Sequence, residues 1–237
     1  MPFHTVGIGG LHRFLKPKWP ERAERSVWVT FDRMKPPPDS VIRCDWPVGH
    51  DDYLAYHDHE WGRPTTDDHR LFEKICLEGF QSGLSWLTIL RKRDRFREVF
   101  AGFDFERVAG FGEREVLRLL DDAGIIRHRG KIEATINNAQ RAIELAEDEG
   151  SLSEWVWSWA VIEPERGPGG EIPAFTARST ALAKDLKRRG WRFFGPTTAY
   201  AFMQSEGLTN DHLAECFVWA DCERERRALL EDRELRP

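Results

Sequence analysis

Two pairs of residues in this 237-residue chain could share one metal ion. His212 and Cys216 stand four apart, so on a helix both side chains reach the same point in space. Far upstream, Cys44 and His57 supply a second thiol and a second imidazole. Two thiolates and two imidazoles form a closed tetrahedral zinc set with no position left for a substrate, which makes such a site structural. It would tie the start of the folded region to its end and contribute folding free energy directly. The spacing, C-x12-H with H-x3-C, fits none of the short zinc-finger patterns. The same four residues also read as two buried thiols and two surface imidazoles, and spacing alone leaves both readings open.

The elements that must position these groups are helical. Apolar residues recur at three- and four-residue steps from Asp67 through Leu71, Phe72, Ile75 and Cys76 to Leu84, Leu87 and Leu90. The same period runs through Phe105–Leu120 and Lys131–Ala146. A further helix over Thr176–Arg189 opens on Thr and Ser caps and closes at Gly190. Helices over Thr197–Ser205 and Asp211–Trp219 complete the set. No strand-like alternation and no repeat appears, so the fold class is all-α.

Composition sets the outer limits. The chain is 41% apolar and 32% charged, the balance of an ordinary globular protein, with no run long enough to span a membrane. Four cysteines, Cys44, Cys76, Cys216 and Cys222, are too few for a disulfide scaffold, and the N-terminus lacks the pattern of a signal peptide, so a reducing cytoplasm is expected. Residues 1–40 hold Pro36-Pro37-Pro38 and seven Lys/Arg against four Asp/Glu. That reads as a flexible Pro/Gly-rich arm of net +3, ahead of a body of net −8. Residues 41–220 form the folded domain, interrupted by a Pro/Gly loop over 163–170, and 221–237 a charged solvated helix or tail. The overall charge of −5 argues against bulk electrostatic coating of DNA but allows a local basic footprint.

One such footprint stands out. Arg127-His128-Arg129-Gly130-Lys131 joins two helical segments as helix, short hairpin, helix. Backbone N–H groups at the start of the second helix, with the nearby cations, suit a DNA phosphate. An ordinary αα-turn with solvated basic residues has the same sequence signature.

Longer motifs narrow the choice. Cys44-Asp45-Trp46, Tyr56-His57-Asp58-His59-Glu60-Trp61-Gly62, Cys76-Leu77-Glu78-Gly79-Phe80-Gln81-Ser82-Gly83-Leu84-Ser85-Trp86, Ala123 through Lys131 and Asn210-Asp211-His212 together resemble the bacterial DNA-3-methyladenine glycosylase I family. Order and spacing match from about residue 42 to 220. The resemblance implies a helix–hairpin–helix glycosylase fold, double-stranded DNA containing alkylated adenine as partner, and a monomeric bacterial enzyme. The implied reaction is hydrolysis of the N-glycosidic bond of 3-methyladenine, leaving an abasic site. It also implies a structural zinc on Cys44, His57, His212 and Cys216.

The chemistry suits those residues. A glycosylase extracts the base from the stack and holds it in a pocket. Adenine methylated at N3 is cationic, which already weakens its glycosidic bond, so the pocket must favour a cation more than it needs a strong acid. Glu78 is assigned the catalytic, base-reading role: its carboxylate accepts from the adenine donors and offsets the charge. Its simpler reading is a surface pair with Lys74 at four-residue spacing. By resemblance Tyr56 and Trp86 line the base pocket, with Trp46 a weaker member of the same wall and cation–π attraction favouring the alkylated base. Trp61 is assigned to the core. Leu84 matches an apolar wedge into the duplex, with a core leucine as its plain alternative, and Arg127, Arg129, Gly130 and Lys131 contact DNA. No Asp follows the hairpin in the setting where related glycosylases carry one, and the matching hairpin lysine is not a Schiff-base former. A monofunctional hydrolase is therefore expected, against the rivals of a damage-sensing module without catalysis and a strand-cutting lyase. Phe80 stands where relatives are expected to carry a polar residue, a departure that would reshape the pocket edge.

Overall fold

The computed structural model describes residues 41–47, 49–163 and 171–234. The proline-rich arm, most of the Pro/Gly loop and the last three residues lie outside them. Among the described residues there are eleven α-helices and no strand. They are α1 (Asp51–His59), α2 (Asp68–Gln81), α3 (Trp86–Leu90), α4 (Arg93–Val99), α5 (Phe105–Val108), α6 (Glu113–Asp121), α7 (Arg129–Glu149), α8 (Leu152–Trp157), α9 (Ala177–Arg188), α10 (Pro196–Ser205) and α11 (Trp219–Glu234).

Helix α2 is the axis of the molecule. The Asp67 side chain caps its start by accepting from the Arg70 N–H at 3.0 Å. Every residue from Leu71 to Phe80 is buried, because α3, α7, α8 and α10 pack around it. A helix covered on all sides is normally apolar throughout. This one carries Glu73, Lys74 and Glu78, so its polar residues require partners or a purpose. At its N-terminal end Asp68 accepts from the backbone N–H groups of Leu152 and Ser153, fixing α8 against α2.

The expected helices divide more finely than their periodicity suggests. The segment opening at Asp67 breaks after Gln81, where Gly83 takes φ +82°, and α3 restarts with Ser85 accepting from Thr88 N–H. The Phe105–Leu120 segment is split by Gly110-Phe111-Gly112 into α5 and α6. Helices α1, α4 and α8, all nine residues or shorter, were not anticipated.

Asp211–Trp219 is a correction. It is loop up to the first residue of α11, not a helix. Its polar residues are held by tertiary bonds instead: Asp211 accepts from the Tyr200 hydroxyl at 2.6 Å and from Gln204 at 3.0 Å, and the Asn210 amide donates to the Trp219 carbonyl at 3.1 Å. Asn and Asp side chains that capture such partners compete with helix formation. The charged C-terminal segment is helix α11, anchored by the buried Cys222 and Arg226.

Candidate active site and metal centre

The loop reaches the same end that a helix was expected to reach. Cys44, His57, His212 and Cys216 are all buried and present ligand atoms within 4.8 Å of one another. Cys44 Sγ lies 3.5 Å from His212 Nδ1, Cys216 Sγ 3.5 Å from His57 Nε2 and 3.7 Å from His212 Nδ1. Zn–S bonds of about 2.3 Å and Zn–N bonds of about 2.0 Å give a tetrahedron with S···N edges of about 3.5 Å, so the set fits a four-coordinate ion.

The far nitrogen of each imidazole is also engaged as a metal-bound histidine requires. His57 Nδ1 lies 2.8 Å from Asp58 Oδ1, and Asp58 is gripped in turn by the Arg43 guanidinium. His212 Nε2 lies 3.0 Å from the Trp61 carbonyl. Gly62 allows that approach. Its φ is +81°, and a Cβ there would fall 2.8 Å from His212 Nε2. Burial pushes the Cys44 thiol up to about 12 and the His212 imidazole down to about 4. Two thiolates in such a place need a cation to offset them.

Beside this cluster opens a pocket of about 250 Å³, lined by Trp46, Tyr53 and Tyr56, by Trp61, by Glu78 and Gln81 of α2, and by Trp86, with Ile172, Ala201 and Gln204 closing the far side. Tyr56 and Trp86 sit 5.4 Å apart between ring centroids, and Trp46 lies edge-on to Tyr53 at 4.9 Å and to Trp61 at 5.1 Å. Trp46 and Trp61 also pack edge-on against His57 and His212 respectively, so metal cluster and pocket share a wall. Glu78 is 4% exposed and the only acidic residue of that lining among the described residues, and burial raises its carboxyl against the lowering effect of Lys74. The buried Trp86 Nε1 has no hydrogen-bond partner among the described residues.

Trp61 is thus a pocket residue as well as a packing one. Tyr53 and Gln204 were missed outright. Tyr53 lies three residues before Tyr56, one turn away on the same face, a signal usable only once α1 is recognised as a helix. Phe80, expected to reshape the pocket edge, does not line the pocket. It is 1% exposed and packs at 4.6 Å on Phe96, next to Phe100, within the aromatic core. Lys74 does pair with Glu78, at 3.4 Å, but both are buried rather than on the surface.

The hairpin separates its basic residues by task. Arg127 is exposed and has no hydrogen-bond or ion-pair partner among the described residues. Arg129 is exposed but bound to Glu113 and Glu133, at 3.0 and 3.1 Å. Gly130 lies in the first turn of α7, where a Cβ would meet His128 and Phe193. Lys131 is buried and donates to the carbonyls of Phe80 and Ser82 at 2.8 and 2.7 Å, closing the C-terminal end of α2 onto the hairpin. Leu84 is 43% exposed in the turn between α2 and α3, flanked by the pocket residues Gln81 and Trp86.

A family model described as methyladenine glycosylase matches residues 46–219. The chain belongs to that family. It is 48% identical over 177 residues to DNA-3-methyladenine glycosylase 1 of Escherichia coli (strain K12), covering 73% of this chain and 95% of that protein. To DNA-3-methyladenine glycosylase of Haemophilus influenzae (strain ATCC 51907 / DSM 11121 / KW20 / Rd) it is 43% identical over 179 residues, covering 74% and 97%. A crystal structure of 3-methyladenine DNA glycosylase I superposes with a TM-score of 0.70 at 49% identity, covering 74% of this chain and 98% of that one. A variant of 3-methyladenine DNA glycosylase I, crystallised in complex with 3-methyladenine, superposes with a TM-score of 0.66 at 37% identity, covering 70% and 91%. The family's all-helical fold is the fold described above.

Proposed function

We propose that this protein hydrolyses the N-glycosidic bond of 3-methyladenine in alkylated double-stranded DNA and releases the free base. The observation that carries the reading is the buried carboxylate of Glu78 on the wall of an aromatic pocket of about 250 Å³. Glu78 accepts from the adenine edge and balances its charge, while Tyr56, Trp86 and Trp46 offer ring faces to a cation. Leu84 fills the gap left by the extruded nucleotide. Phosphates bind at the start of α7, helped by Arg127 and the helix dipole. Lys131 holds carbonyls rather than facing a substrate, which supports a hydrolase without a Schiff base. Zinc on Cys44, His57, His212 and Cys216 is structural in this account. It joins the first described residues to the loop before α11 and braces Trp46 and Trp61. The test is an assay of methylated duplex DNA in which released base and strand integrity are read together. Free 3-methyladenine with an intact backbone is expected. Release with strand scission would make the protein a lyase, and no release would make it a binding module.

A further inference from the structure

The wall around Glu78 already holds a cation. Lys74 Nζ lies 3.4 Å from Glu78 Oε1, 2.5 Å from the Tyr56 hydroxyl and 3.6 Å from the centroid of the Trp86 ring. It thereby uses the carboxylate and the aromatic faces that a cationic base needs. Entry of the base puts two cations around one buried carboxylate, and an unbalanced buried charge is strongly unfavourable.

The missing anion stands in a second cavity of about 250 Å³, lined in part by Lys74 and Tyr56. Three of its carboxylates are committed: Glu60 to Arg93, Glu73 to Arg97 and Glu225 to Arg63. The fourth, Glu206 at the end of α10, is buried, and its carboxylate has no hydrogen bond or ion pair among the described residues.

We propose that Glu206 is a specificity-determining positioning residue: it takes over the charge of Lys74 when a cationic base engages Glu78. The proposal rests on the reading of Glu78 as the base contact, and both Lys74 and Glu206 act through that residue. Lys74 is faced by Tyr56 from α1, by Glu60 just after that helix, by Glu78 from its own helix, by Arg93 from α4 and by Glu206. Glu206 is faced by Arg70, Glu73, Lys74 and Glu78, all from α2. Burial pushes the Glu206 carboxyl up to about 7. A base cation beside Lys74 favours the ionised form of Glu206, so uptake releases a proton and strengthens as pH rises towards that value, levelling off above it.

The experiment uses the full chain and a duplex carrying 3-methyladenine in single-turnover excision, at about pH 6 to 8.5, with maximal rate and half-saturation measured separately. Binding to an abasic duplex, which leaves the pocket empty, is the control. The wild type is expected to gain about tenfold in half-saturation across the range, the equivalent of one pKa unit of interaction, while abasic binding lacks this gain. Glu206→Gln removes the gain. In Lys74→Met the ammonium is gone, so adding Glu206→Gln changes nothing further. A Glu206→Gln profile like that of the wild type overturns the proposal, and so does a flat wild-type profile. These two results decide the matter even where Lys74→Met does not fold. Failure of the Glu78 reading shows separately, as Glu78→Gln excising at the wild-type rate.

Discussion

Glu78 meets a structural demand and, in the function proposed above, a chemical one as well. A carboxylate at the centre of a fully covered helix needs a partner, and Lys74 provides it from one turn earlier. The four-residue spacing of the pair was legible in the sequence. Its burial was not, because that depends on α7, α8 and α10, which arrive from far along the chain. The pair makes a stability prediction. Glu78→Gln leaves the Lys74 ammonium with less compensation and should lower unfolding free energy by about 1–3 kcal/mol in urea denaturation. Replacing both, as Lys74→Met/Glu78→Gln, removes the charge imbalance and should recover most of that loss. A single variant as stable as the wild type would show that the pair contributes nothing to the fold. Tyr53 was illegible for another reason: α1 is short and weakly amphipathic, so the three-residue spacing of Tyr53 and Tyr56 marks one face only once the helix itself is known.

At the scale of elements, the hairpin and the metal loop differ in how far sequence reaches. Helix, turn and helix around Gly124–Gly130 could be read directly, since amphipathic segments flank a glycine-containing basic turn. The metal loop could not, because tertiary bonds from Tyr200, Gln204 and Trp219 override any local preference. The cysteines and histidines converge all the same, so their identities carried the information and their expected helical geometry did not. Within the hairpin, the structure sorts three cations that the sequence left equivalent. Arg127→Ala should weaken binding to damaged and undamaged duplex alike and flatten the salt dependence by about one unit of slope, because phosphate contacts carry no base information. Lys131→Met should instead reduce thermal stability, by releasing the Phe80 and Ser82 carbonyls. Loss of affinity confined to damaged DNA in Arg127→Ala would move that residue from the backbone to the pocket.

For the molecule as a whole, the Cys/His cluster joins the first described residues to the loop before α11, alongside further ties such as the Phe217 N–H to the Ile42 carbonyl at 3.0 Å and Arg63 to Glu225. Cys44 meets His212 across 168 residues and His57 meets Cys216 across 159. Purified reduced protein is expected to hold one zinc per chain, and chelation should lower its melting temperature. Cys44→Ala and His212→Ala should lose metal and stability together, while Cys76→Ala, remote in α2, keeps the metal. Zinc-free protein with an unchanged melting temperature would return the cluster to a set of buried thiols and imidazoles. The proposed base pocket lies against this region, and its function is tested most directly by single-turnover release of 3-methyladenine from methylated duplex, identified by mass spectrometry, in wild type and Glu78→Gln. Gln keeps the shape, removes the charge and replaces an acceptor with a donor, so release should fall about ten- to a hundred-fold, with the strand intact in both. Equal rates for the two proteins would contradict the account.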